Sequence, residues 1–361
     1  MRGTHNVLEG TPPDAKSPGD GARRRRLSAD SVDYGTISDE EKFKMKTLRR
    51  LFPRAAAAAL LLAALAGAQT AGAQVRTPRP SQKASVTQTV GVTDVTITYS
   101  RPGVKGRTIW GDPPAGAPAG TATLDDARAR AAGAAIVPYG RVWRTGANEA
   151  TTFTVTDDVL VNGQPLKAGT YSLHTIPGRD EWTIIFNSDP GQWGSFAYDE
   201  KKDVLRVKTK PQTASETQEW LGFQIDPAGE TSAKVAIRWE RIIVPFTVEV
   251  KDVPALTLAK ARQSVASAKP EDWQTPLQAA NYLLNNKGDL TQALAWAEQS
   301  IKTRENFNNL NLRARILAAQ GKTAEAVAAG EKALQVGRAA NANAQALAAF
   351  EKTLGEWKAK Q

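Results

Sequence analysis

Two stretches of the sequence concentrate side chains that could recognise or transform a ligand. The first is Ser100-Arg101-Pro102-Gly103-Val104-Lys105-Gly106-Arg107-Thr108-Ile109-Trp110-Gly111. The second is Pro138-Tyr139-Gly140-Arg141-Val142-Trp143-Arg144-Thr145-Gly146-Ala147-Asn148-Glu149-Ala150-Thr151. Arg101, Lys105, Arg107 and Arg144 could form a cationic pocket for a carboxylate or phosphate, because guanidinium groups bind such anions through paired hydrogen bonds. Trp110, Tyr139 and Trp143 would supply flat walls for a sugar or an aromatic ligand. Asn148 and Glu149 complete the ligand-binding candidates, and with His174 they could be imagined as an acid/base group, since a positioned His or Glu suits proton transfer near neutral pH. The same residues admit a structural reading, in which Arg144 pairs with Glu149 and Asn148 caps a turn, so that the loop is simply fixed. His174 is out of phase with Tyr171 and Leu173, which places it on the opposite surface of its strand, packed or solvated.

Composition removes several classes of chemistry. The chain has no cysteine, which excludes disulfides, thiolate metal sites and cysteine nucleophiles. Its two histidines are His5 and His174, too few for a multi-histidine metal site, and no metal or cofactor is expected. Nucleotide loops, serine elbows and metal-ligand spacings are missing from the sequence, so no catalytic residue is assigned. The pairs Asp125-Asp126 and Asp157-Asp158 adjoin turns or lie in a loop and read as solvated. The formal net charge is +10, but the first 73 residues carry part of it and the remainder is only about +6. These charges are scattered and form no basic stripe interleaved with aromatics, which argues against nucleic acid as a partner.

The elements that must position these residues follow from periodicity. Residues 1–44 are polar, contain the run Arg23 to Arg26 and show no apolar period, so they read as disordered or as a mis-assigned gene start. Residues 45–73 read as a secretory signal peptide: basic Lys46, Arg49, Arg50 and Arg54, an apolar run from Ala55 to Ala68, and small residues Ala71-Gly72-Ala73. The apolar run is too short for a permanent membrane span. Residues 74–253 read as a β domain, within which Ser85 to Val250 alternate with period two and are rich in Val, Ile, Thr and aromatics. Asn162-Gly163 marks a tight hairpin and Pro177-Gly178-Arg179-Asp180 another turn. About nine short strands predict an all-β antiparallel sandwich, jelly-roll or Ig-like. The segment Gly111 to Ile136, with its prolines, glycines and alanines, interrupts them as a long loop with one helical turn near Asp125 to Ala131.

From residue 254 to 361 the period becomes 3.6. Gly288, Ala293, Ala297 and Ile301 are echoed 33 residues later by Gly321, Ala326, Gly330 and Leu334. Leu277, Leu283 and Leu284 are echoed by Leu310, Ile316 and Leu317. This predicts an all-α, tetratricopeptide-like helical-hairpin domain, since that repeat is about 34 residues long and uses small residues where helices cross. Ala342 to Lys358 would cap the last hairpin.

The two motif stretches, with Ala168-Gly169-Thr170-Tyr171-Ser172-Leu173, Ile176-Pro177, Glu181-Trp182 and Gln192-Trp193-Gly194, resemble a bacterial exported family known only as domain of unknown function 2911. The resemblance covers about Ser85 to Val250 and departs from the family pattern in the Gly111 to Ile136 insertion. It implies an exported β domain, sometimes joined to tetratricopeptide repeats, and carries no catalytic assignment.

These observations lead to the expectation of a periplasmic or secreted binding and scaffold protein. Its helical repeats would hold a protein partner, and its β domain a small anionic or carbohydrate ligand or a further partner. The competing expectation is a cell-envelope hydrolase or carbohydrate-active enzyme using Glu149 with Arg101 and Arg144. Export should remove everything before Gln74, so amino-terminal sequencing of the envelope-localised chain is expected to begin at or near Gln74. Recovery of a species that retains Ala55 to Ala68 would contradict this.

Overall fold

The computed structural model describes residues 77–113 and 133–360. The expected signal peptide, the segment before it and the helical turn near Asp125 to Ala131 lie outside the described residues.

Six strands form an antiparallel sheet in the order β1 (Gln82–Val90), β2 (Thr93–Arg101), β5 (Thr151–Val155), β8 (Gly169–Ile176), β9 (Trp182–Asn187) and β10 (Asp203–Thr209). Four more form a second antiparallel sheet in the order β11 (Gln212–Pro227), β12 (Ser232–Glu249), β6 (Val159–Val161) and β7 (Gln164–Leu166). A two-residue parallel pair joins β3 (Trp110–Gly111) to β4 (Val137–Pro138). The expected Asn162-Gly163 hairpin links β6 to β7, with both residues at positive φ. One expectation needs correction. Among the short strands expected from alternation, Ala233 to Trp239 and Val244 to Val250 would count as two, yet both belong almost entirely to the single strand β12. Its partner β11 slips register on either side of Gln218, and Glu240 takes a left-handed φ of 54°. Bulges of this kind bend a strand without ending it, which local sequence reads as a break.

Alternation decides which side chains enter the core. Val95, Ile97 and Tyr99 of β2, Phe153 of β5, and Ile184 and Phe186 of β9 point inward and meet Phe223, Val235, Ile237 and Phe246 of the second sheet in one buried cluster. Phe153 and Phe186 each lie 6.2 Å from Phe246, and Tyr99 lies 4.7 Å from Phe223, ring centre to ring centre. The outward face of the six-stranded sheet is polar instead. Register places Ser85, Thr98, Thr152, Ser172 and Asn187 directly side by side across five strands.

Six helices follow among the described residues: α1 (Val253–Ala266), α2 (Gln274–Asn285), α3 (Leu290–Thr303), α4 (Phe307–Ala319), α5 (Thr323–Ala339) and α6 (Ala344–Lys358). Helices α4 and α5 begin 33 residues after α2 and α3, matching the sequence echo. Asp289 caps α3 by accepting from the Thr291 and Gln292 amides, and Asn306 caps α4 in a reciprocal capping box with Asn309. Of the small echoed residues, Ala293, Ala297, Ala326 and Gly330 are buried within helices, whereas Gly288 and Gly321 lie in the turns between them. A Cβ on Gly330 would stand 2.8 Å from Leu354, so glycine there lets α6 lay Phe350 and Leu354 onto α5.

Helix α1 belongs to both regions. Val253 and Leu256 at its start pack against the β core, whereas Leu258, Ala261 and Val265 pack with α2 and α3. Lys260 fastens it, donating to Val92 O at 2.8 Å and to Asp157 Oδ2 at 2.6 Å. Burial pushes the Asp157 carboxyl up, but hydrogen bonds from Lys260, Thr156 and Thr93 outweigh burial and hold it below the ordinary aspartate value. Asp157 was expected to be solvated; its side chain is only 14% exposed.

Asp157→Ala is expected to lower the unfolding free energy by about 1–3 kcal/mol, the worth of hydrogen bonds to a mostly buried charge. Because the folded-state pKa is depressed, this contribution is complete above the ordinary aspartate value and is lost as pH falls through the lowered one. Urea melts of wild type and variant at neutral pH read the difference. Coincident curves would mean that Lys260 and Asp157 contribute nothing to docking α1.

Candidate functional site

The second motif stretch forms a loop hung from one tryptophan. Trp143 exchanges backbone hydrogen bonds with Thr175 of β8, at 2.7 and 2.8 Å, and its indole N–H donates to Gly146 O at 3.1 Å. The ring is buried with Trp182 and Trp239 and packs on the partly buried Trp110, stacked on Trp239 at 5.7 Å and edge-on to the other two. Thr145 and Thr151 hydroxyls close the turn from inside, on Trp143 O and Thr145 O. Gly146 fits closely here, since a Cβ would stand 3.0 Å from Thr151 Oγ1 and 3.1 Å from the Ser100 carbonyl. The chain then returns to β5 through Asn148, at a left-handed φ of 59°, and Glu149.

Residues 148–150 pair with residues 192–194, through Ala150 N to Gln192 O and Gly194 N to Asn148 O. That second segment lies in the connection between β9 and β10, which folds back over the polar face of the sheet. Asn187 pins it: its amide N–H groups donate to Asp199 O and Asp203 Oδ1, and its oxygen accepts from the Asp189 amide and from Gln192 Nε2. Asp203 also receives the Tyr198 hydroxyl at 2.6 Å and Arg206 Nε at 2.7 Å. Burial, together with this bond to Asp203, pushes the Tyr198 hydroxyl far above its ordinary value.

His174 lies under this cover, fully buried, with its ring 5.1 Å from that of Tyr198. Burial lowers its pKa from 6.5 to about 4; Asp203 and Asp189 oppose the shift and Arg144 adds to it. The Gly194 backbone lies beside the ring, yet neither ring nitrogen completes a hydrogen bond.

Where the two segments meet the sheet they leave a cleft of about 180 Å³. Thr98, Ser100 and Thr152 line it from the sheet, Glu149 and Ala150 from the Trp143 loop, Pro190 to Gln192 from the cover, and Lys83 from β1. Glu149 accepts from Arg79 at 2.6 Å. Burial pushes its carboxyl up, but Arg79, with help from Lys83, brings it below the ordinary glutamate value. A second cavity, about 280 Å³, lies between α2 and α4, lined by Leu277, Gln278, Asn281, Asn308, Asn311, Leu312 and Arg315.

The residues singled out from sequence are dispersed by the fold. Arg101 donates to Leu221 O at 2.9 Å, and Arg107 to Val104 O and Gly103 O, so both guanidiniums brace backbone. Lys105 lies exposed at 5.7 Å from the Trp220 ring. Trp143 is buried in the core with the partly buried Trp110 packed against it, while Tyr139 carries Arg179 over its ring at 5.1 Å. Arg144 lies near His174, and Glu149 is held by Arg79. The Asn148 side chain donates to Ser81 O, fastening the loop to the start of β1. Only Glu149 of the nine candidates lines the cleft. Arg79, Lys83 and Gln192 were missed as site residues. Arg79 and Lys83 precede the first recognised alternation, and Gln192 sits in a Pro-Gly turn where no period exists to flag it.

Among the described residues no group of His, Asp and Glu could hold a metal, and no helix is long and apolar enough to cross a membrane. Residues 81–248 match the model of a family described as Protein of unknown function (DUF2911). That match lies within the β-sheet region, and the resemblance read from its motifs holds over nearly the expected span. Comparison with curated proteins and with solved structures gave no match.

His174 makes a pH prediction. Its folded-state pKa lies below the unfolded value, so the unfolded chain takes up the proton first, and stability falls as pH drops from 6.5 toward 4. The loss from this group is expected to reach about 3 kcal/mol. His174→Leu should flatten that part of the pH dependence, read by urea melts between pH 7 and 4. Parallel pH profiles in the two proteins would show that His174 is not responsible.

Proposed function

We propose that this chain is an exported binding and scaffold protein, in which the paired sheets act as a sandwich domain and α2 to α5 as two tetratricopeptide-like repeats capped by α6. The groove between α2 and α4 holds an extended segment of a protein partner. The observation that carries this reading is the lining of that groove. Leu277 and Leu312 offer apolar contact, while Gln278, Asn281, Asn308 and Asn311 offer side-chain amides, each with donors and an acceptor. An extended peptide exposes alternating N–H and C=O groups, which amides can satisfy whatever the partner's side chains. Asn311 Oδ1 is buried with no partner in the protein, as an acceptor reserved for a ligand donor would be. The cleft of the β domain serves as a second, small-molecule site. Export supports both roles with a location in the envelope, and rests on the signal-like pattern of residues 45–73.

The test is affinity capture from envelope extract with wild type and with the Asn308→Ala, Asn311→Ala double variant, read by quantitative mass spectrometry. A partner retained by wild type and depleted about tenfold by the variant is the expected result, corresponding to about 1.4 kcal/mol. Equal capture by both proteins would move the binding surface away from this groove.

A further inference from the structure

The β-domain cleft carries more chemical information than its volume. Gln192 is 5% exposed, and its Nε2 donates to Asp189 O at 3.0 Å, Asn187 Oδ1 at 3.2 Å and Ser172 Oγ at 3.5 Å. Asn187 is itself oriented by two acceptors, Asp199 O and Asp203 Oδ1, so its oxygen must face Gln192. Exchanging oxygen and nitrogen at Gln192 would then set its oxygen against the oxygens of Asn187 and Asp189, and the amide has one permitted orientation. Its Oε1 is left buried without a partner in the protein. Glu149 repeats the pattern: Oε1 takes Arg79, and Oε2 is buried with no partner. Two acceptors from two segments of the same cleft are thus unsatisfied, which is costly unless a ligand supplies donors.

Charge narrows the ligand further. Glu149 is already paired with Arg79, and Lys83 stands at the rim, so a cationic ligand would meet two positive groups. An anionic ligand would meet the Glu149 carboxylate. The sheet contributes the hydroxyl-bearing residues Thr98, Ser100 and Thr152, which can donate or accept. A cavity of about 150 Å³ accommodates a benzene ring, so about 180 Å³ suits one six-membered ring with hydroxyl substituents. Trp193, the cross-strand partner of Glu149, leaves 56% of its surface exposed, a flat apolar group next to the acceptors.

We infer that this cleft binds an uncharged polyhydroxylated ring of monosaccharide size, its hydroxyls donating to Gln192 Oε1 and Glu149 Oε2. The inference rests on reading the β domain as a small-molecule binding module, and gives that module its ligand class. Saturation-transfer NMR and titration calorimetry on the full chain would use glucose, N-acetylglucosamine, myo-inositol, glucosamine and glucuronate as probes. The expected result is binding of at least one neutral probe, with glucosamine and glucuronate weaker by about tenfold or more. Gln192→Met and Glu149→Gln should each weaken the neutral probe at least several-fold, because each alters one of the two acceptor groups. Gln192→Met also breaks the bonds that hold the cover, so its melting is followed in parallel. Lys83→Ala, at an exposed rim position, tests charge selection without disturbing the cover, and should narrow the gap between glucosamine and the neutral probes. Preference for glucosamine or glucuronate, or neutral binding unchanged in Glu149→Gln, would overturn the ligand class and leave the binding module standing. Silence toward every probe would overturn the module and the inference together.

Discussion

Everything that shapes the β-domain cleft depends on the burial of Trp143. Its ring stacks on Trp239 of the second sheet and stands edge-on to Trp182 of the first, so one side chain touches both layers of the core. Its backbone is bonded to Thr175 and its indole N–H to Gly146 O. A loop would ordinarily be the least ordered part of a β domain. Here the residues up to Glu149 hang from a group whose removal would open a cavity worth about 3–5 kcal/mol. The first motif stretch is tied to the same point, because Trp110 packs against Trp143 at 5.7 Å, while Arg107 braces its backbone at Gly103 O and Arg101 ties its start to Leu221 O of β11.

A second, polar layer grows on the outer face of the six-stranded sheet. Ser172, His174 and Asn187 point away from the tryptophans, yet all are buried, because the β9–β10 connection folds over them. The layer is held by oriented bonds and not by apolar area: Asn187 fixes Gln192, and Asp203 gathers Asn187, Tyr198 and Arg206. Such a network orders a loop only if nearly every member is satisfied. The exceptions, His174 and the free oxygens of Gln192 and Glu149, are therefore the places where the fold has given up stability. His174 makes the layer acid-sensitive, and the two oxygens mark the cleft.

The helical region is coupled to this domain through α1, which contributes Val253 and Leu256 to one core and Val265 to the other. Lys260 is satisfied by the turn between β1 and β2 and by Asp157 after β5, so the helix is tied to two points of the six-stranded sheet. The start of the helical period near residue 254 is thus a change in secondary structure with a shared interface across it.

The sequence by itself determined the elements. Period-two alternation located most strands of both sheets while dividing β12 in two, Asn162-Gly163 located its hairpin, and the 33-residue echo located two pairs of helices, because each signal is local and set by backbone geometry. The motif residues around Trp143 were also legible as a unit. What they do was not, since arginine, tryptophan and glutamate serve equally in ligand sites and in bracing, and only long-range contacts separate the two. Arg101 met a carbonyl 120 residues away, Glu149 met Arg79 across 70, and Gln192 was turned toward the cleft by Asn187 and the sheet beneath it. Those pairings depend on which strands lie side by side. That order is a property of the tertiary structure and leaves no periodic trace in the chain.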